Sequence, residues 1–176
     1  MKTLLKIILT LLPFVGYAQP YTSFLVEVHA PDSVLQSVPR TAIEDAISIH
    51  GLKKVTTSPS LTVSFTAQDL VISAENIQQF VDAKDTTAAG PKTSYYVEVL
   101  YSMKCQGTCY NAQNQLVYSG QWGLGQSKFV SGHMATRQAA EDYWKNNKES
   151  LKANFIASII YPSLAAMGNK LNAAFP

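Results

Sequence analysis

The sequence predicts an α+β fold: a two-layer sandwich with a mainly antiparallel sheet of four or more strands, one short helix, and one long kinked C-terminal helix on the same face. Three observations predict it. Tyr95, Val97, Val99, Tyr101 and Met103 fall on one side of an extended chain, with Glu98, Ser102 and Lys104 on the other, the period-two pattern of a strand with one buried face. Two further runs alternate in the same way, Phe24-Val26-Val28 and Leu61-Val63-Phe65-Ala67. The third is an apolar stripe, Leu151, Phe155, Ile156, Ile159, Ile160, Leu164, Met167, Leu171 and Phe175, whose three- and four-residue steps build a helix face wide enough to cover a sheet.

In chain order, the first strand is ended by Pro31 and Asp32. Ser37 precedes Val38-Pro39, after which Ile43, Ala46, Ile47 and His50 follow at helical spacing and Gly51 is placed to close the helix. The second strand loses its pattern at Asp69-Leu70-Val71-Ile72, a bulge or a strand end. Residues 74–93, with Asp85-Thr86-Thr87 leading to Gly90-Pro91, have the composition of a long loop. The central stretch Tyr95–Trp122 reads as a hairpin whose turn is the polar run Asn111-Ala112-Gln113-Asn114-Gln115. Gly123-Leu124-Gly125-Gln126-Ser127 lacks the spacing of a nucleotide fingerprint and reads as a glycine-rich connector. The chain is helical from Met134 to near its end, with Pro162 inside the stripe, where it costs a backbone hydrogen bond and kinks the helix.

The first 18 residues have two lysines, a Leu- and Ile-rich core, and small residues at Gly16 and Ala18. They read as a secretory signal peptide cut before Gln19, leaving residues 19–176 as a single α+β domain. Lys2 and Lys6 account for the whole formal charge of +2, so the exported chain is neutral. That argues against a nucleic-acid partner, which would need a basic stripe. No later stretch is apolar enough to span a bilayer. The expected place is the periplasm or the cell exterior.

Catalytic signatures are missing from the pattern. His29, His50 and His133 have no metal-ligand spacing with one another or with the cysteines, and no Gly-x-Ser-x-Gly elbow occurs. No catalytic residue, metal or cofactor is therefore expected. Cys105 and Cys109 are the only cysteines, and an oxidising compartment favours their pairing as a disulfide. Residues four apart in a straight strand are about 13 Å apart while a disulfide needs α-carbons within about 7 Å, so a bridge requires a turn at Gly107. The alternative is two thiols on one strand face.

The run Ala46-Ile47-Ser48-Ile49-His50-Gly51-Leu52, then Leu61–Phe65, Tyr96–Val99 and Gln113–Gly120 with its Leu-Val-Tyr-Ser, followed by a terminal helix, resembles small bacterial envelope domains. It is similar to the DUF4136-type lipoproteins and, more loosely, to the N-terminal domain of TolB. The resemblance implies an exported, non-enzymatic module that binds or scaffolds a protein partner or an envelope polymer, and it supplies no site residues. Trp122, Tyr143 and Trp144 are the candidate partner surface, because tyrosine and tryptophan dominate binding hot spots. The alternative function is a small-ligand binder or weak hydrolase with its site between residues 74–93 and 123–133.

Overall fold

A computed structural model describes residues 21–87, 90–123 and 125–175; the expected signal peptide lies outside the described residues. The fold class is α+β, as the pattern predicts. The elements are β1 (Ser23–His29), α1 (Asp32–Ser37), α2 (Arg40–Ala46), β2 (Lys53–Lys54), β3 (Leu61–Ala67), β4 (Val71–Thr87), β5 (Gly90–Ser102), β6 (Cys105–Asn111), β7 (Leu116–Trp122), β8 (Ser127–Val130) and α3 (Arg137–Ala174). They form two sheets: one of order β2-β1-β3-β6-β7 and one of order β4-β5-β8. β1 runs parallel to β2 and β3, and every other pair of named strands is antiparallel.

The two sheets are halves of one meander. β3 continues into β4, β5 into β6 and β7 into β8, and all three strands break at the same level. Ala67 pairs with Cys105, the Gln68 N–H donates to the Lys104 carbonyl at 2.9 Å, and Val71 then pairs with Ser102. Across the break the side chains keep their phase, so Val97, Val99, Tyr101, Met103, Cys105 and Cys109 are all buried. Gly123 makes the third crossing possible. Its φ is +69° and a Cβ there would lie 2.1 Å from the Met103 carbonyl oxygen, a position only glycine occupies without strain.

One helix covers both halves. α3 has 38 residues, about 57 Å at 1.5 Å per residue, and Thr136 caps its start by accepting from the Ala139 N–H at 3.1 Å. Its first half packs Ala140 and Phe155 on Val97, Val99 and Tyr101, with Phe155 stacked on Tyr101 at 4.2 Å. The second half packs Ile156, Ile160, Leu164, Met167 and Leu171 with α1 and α2 on the five-stranded sheet. Pro162 lies within α3 without ending it.

Four expectations need correction. The first is the disulfide: Cys105 and Cys109 are free and buried. β6 runs regularly between them, Cys105 opposite Ala67 and Cys109 opposite Val63, which keeps the sulfurs too far apart to bond. Gly107 does not turn the chain; it clears space for α3, since a Cβ there would meet Met167 Sδ at 2.6 Å. The second is the loop at residues 74–93, which is a long β4–β5 hairpin instead. Its polar sequence hid the strands because one face is solvent. Third, the hairpin turning at Asn111–Gln115 joins β6, not β5, to β7; the turn itself is as expected, with Asn114 at φ 59° and Asn111 Oδ1 accepting from the Gln113 and Gln115 N–H groups.

The fourth correction concerns the short helix. There are two, because Pro39 forces Val38 into an extended conformation (φ −132°, ψ 103°) between α1 and α2. α2 stops at Ala46, well before Gly51, because Ile47 and Ile49 are both buried in an extended run. Asn172 of α3 ties that run down, accepting from the His50 N–H at 2.7 Å.

Candidate functional site

The inner sheet faces are committed to the core, which leaves the outer sheet faces to solvent, and on the outer face of the β4–β5 hairpin aromatic and titratable side chains come together. Register determines which side chains are there. Ile77 opposes Val97 on the inner face, so Asn76 opposite Glu98, Gln78 opposite Tyr96 and Phe80 opposite Ser94 stand on the outer one. After β8 the chain continues alongside β5. Val97 N–H donates to Ser131 Oγ at 2.8 Å, and Tyr95 and Met134 exchange backbone bonds at 2.8 and 2.7 Å. That pairing sets His133 over the outer face, against Phe80 and Tyr96.

The cluster has defined geometry. The His133 ring meets Phe80 edge-on at 4.9 Å and lies tilted 36° to Tyr96 at 5.3 Å. Ser94 Oγ hydrogen-bonds His133 Nδ1 at 2.7 Å, which fixes the ring and leaves Nε2 without a hydrogen-bond partner among the described residues. Phe80 is 44% exposed. Glu98 forms an ion pair with Lys128, and the Lys128 pKa is raised by that hydrogen bond. The face is therefore electrically balanced: aromatic rings bordered by amide, hydroxyl and imidazole groups.

On the opposite side of the hairpin, Glu75 anchors β4 to α3. It accepts from Trp144 Nε1 at 2.9 Å and from Lys148 Nζ at 2.7 and 3.0 Å. Burial works to raise its pKa, but those hydrogen bonds and the charges of Lys148 and Lys152 outweigh it, and the net direction is down.

The expected partner residues are not gathered in one place. Trp122, at the end of β7, is half-buried against the core of the five-stranded sheet. Tyr143 and Trp144 are half-buried against the core under the three-stranded sheet. The two segments named for a small-ligand site do meet, at Phe80 of β4 and His133 in the stretch after β8. A groove of about 440 Å³ lies elsewhere, between α1, the β3–β4 link and α3, lined by Ser33, Asp69, Glu149 and Lys152 over Leu70 and Ile156.

The thiols are poor nucleophiles. Burial pushes Cys109 up to about 12 and raises Cys105, partly offset by a hydrogen bond with Ser163. Among the described residues no three His, Cys, Asp or Glu side chains come together to hold a metal ion, and no helix is long and apolar enough to cross a membrane.

No known protein family matches the sequence, and no curated protein does. Solved structures do. A neuraminyllactose-binding hemagglutinin homolog from Helicobacter pylori aligns over 89% of this chain and 88% of its own at 9% identity, with a TM-score of 0.50. A minor lipoprotein from Acinetobacter baumannii aligns over 88% and 94% at 8% identity and a TM-score of 0.39. The rare lipoprotein B from Shewanella oneidensis aligns over 84% and 98% at 8% identity and 0.32. At such identities the first likeness is one of fold, and the looser two place no weight on any conclusion. Bacterial lipoproteins are thus among the structural neighbours, while the DUF4136-type resemblance is not shown.

Sequence reasoning missed the cluster. Phe80 was hidden in a stretch too polar to read as a strand, and His133 has no motif to mark it; the available signal was the β-branched and aromatic content of Val71-Ile72, Ile77 and Phe80-Val81.

Proposed function

We propose that this chain is an exported, non-enzymatic module of the cell envelope that binds a polysaccharide through the outer face of the β4–β5 hairpin. The observation that carries the reading is the Phe80–Tyr96–His133 cluster with Ser94 and Gln78 beside it. A sugar ring presents an apolar C–H face that stacks on an aromatic ring and a hydroxyl edge that needs short polar partners; exposed Phe80 supplies the first, and Gln78, Ser94 and His133 around it supply the second. The balanced charge suits a neutral glycan better than a nucleic acid. The Helicobacter pylori structure of the same fold is named for binding neuraminyllactose, an acidic oligosaccharide, which supports a glycan as the ligand class but not its charge. Export rests on the Met1–Ala18 pattern.

The test has two parts. Cell fractionation and intact mass should find the protein outside the cytoplasm, beginning at Gln19. The purified exported chain should sediment with insoluble envelope glycan or bind on a glycan array. Cytoplasmic full-length protein would overturn the first part, and absence of binding across glycan classes the second.

A further inference from the structure

We propose that two copies of this chain join edge to edge through β4, making one continuous six-stranded sheet from the two three-stranded ones. This does not depend on the glycan reading. β4 is the outer strand of its sheet and has β5 as its one strand neighbour among the described residues, so among those residues one side of its backbone has no strand partner. Natural sheets blunt such edges with bulges and charges. β4 has these only at its ends: register shifts lie between Ile72 and Ala74 and between Asp82 and Thr86. Between them Asn76-Ile77-Gln78-Gln79-Phe80-Val81 is straight and contains no charge, proline or glycine.

The occupant is a second copy because this edge is complementary to itself. In an antiparallel pair centred on Gln79, each residue meets one of the same parity, so the helix-side face of one copy continues into the helix-side face of the other. Val81 of each copy then stands opposite Ile77 of its mate. Val81 is an apolar side chain 48% exposed. Beside Ile77 lies a recess of about 160 Å³ lined by Glu75, Ile77, Val97, Glu141 and Trp144, on the face that receives Val81. Trp144, held in place by its bond to Glu75 at 2.9 Å, forms a wall of that recess. The register opposes no like charges: Glu75 meets Ala83 and Asp82 meets Asn76. Shifting it by two residues in one direction sets Glu75 against Val81.

Light scattering on the full exported chain should give the mass of two chains at micromolar to millimolar concentrations, about the range of a modest edge contact. Val81→Asp should be monomeric with an unchanged circular dichroism spectrum and melt. Gln79→Cys should crosslink chain to chain with a short bismaleimide, because residues directly opposite are about 5 Å apart, whereas Tyr161→Cys, exposed on α3, should not. A wild-type chain that stays monomeric up to about 1 mM, a dimer unaffected by Val81→Asp, or equal crosslinking at both cysteines would each overturn the proposal.

Discussion

Cys105 and Cys109 act as small apolar side chains in the wall between β6 and α3. Two outcomes follow. Neither thiol should react with iodoacetamide in the native protein, and both should react once it is unfolded, without reductant. The buried thiols also make unfolding pH-dependent. Their folded pKa is raised, to about 12 for Cys109, against about 8.5 unfolded. Unfolding therefore releases protons above that value, and the stability conferred by neutral burial, complete below about pH 8.5, falls as pH rises toward 12. A denaturant midpoint that stays level from pH 8 to 10 in the wild type would contradict it; Cys109→Ala should reduce the slope. Gly123 is the other residue whose identity is dictated by geometry. Gly123→Ala puts a Cβ into the Met103 carbonyl at a positive φ and should cost about 2 kcal/mol or more. Gly125→Ala, with open space around it, should cost less than about 1 kcal/mol.

At the scale of elements, legibility followed burial. β1, β3, β5 and α3 have one face in the core, and their apolar residues recur at the spacing that the geometry demands. The alternation of β5 in fact continued through Cys105 and Cys109, and extending it by six residues would have placed both thiols in the core. β4 could not be read because only its first part lies under α3. Beyond Ile77 both faces are partly solvated, and Gln78, Gln79 and Asp82 carry no periodic signal. α2 was overestimated because Ile47, at a helical spacing from Ile43, is buried by tertiary contacts of an extended segment, a case where packing and the Asn172 bond override local pattern. The candidate site was illegible for a related reason: Phe80, Ser94, Tyr96 and His133 span 54 positions with no motif, and strand register alone brings them together.

At the scale of the molecule, one 38-residue helix serves two sheet halves, and packing all helices on one side leaves the other side of the meander open to solvent. In the three-stranded half that open side carries aromatic rings with polar neighbours, and the β4 edge beside it is available for pairing. Dimerisation through β4 would place two such faces on the same side of a single sheet, so that a repeating polymer could engage both at once. The most direct test of the central claim is the affinity of the purified chain for a glycan to which it binds, measured by calorimetry for the wild type and for Tyr96→Ala, Phe80→Ala and Trp122→Ala. We predict a loss of about tenfold for each of the first two, the value of about one aromatic stacking contact, and no loss for Trp122→Ala when it remains folded. Equal binding by all four proteins, or a loss confined to Trp122→Ala, would contradict the assignment of the site to the hairpin face.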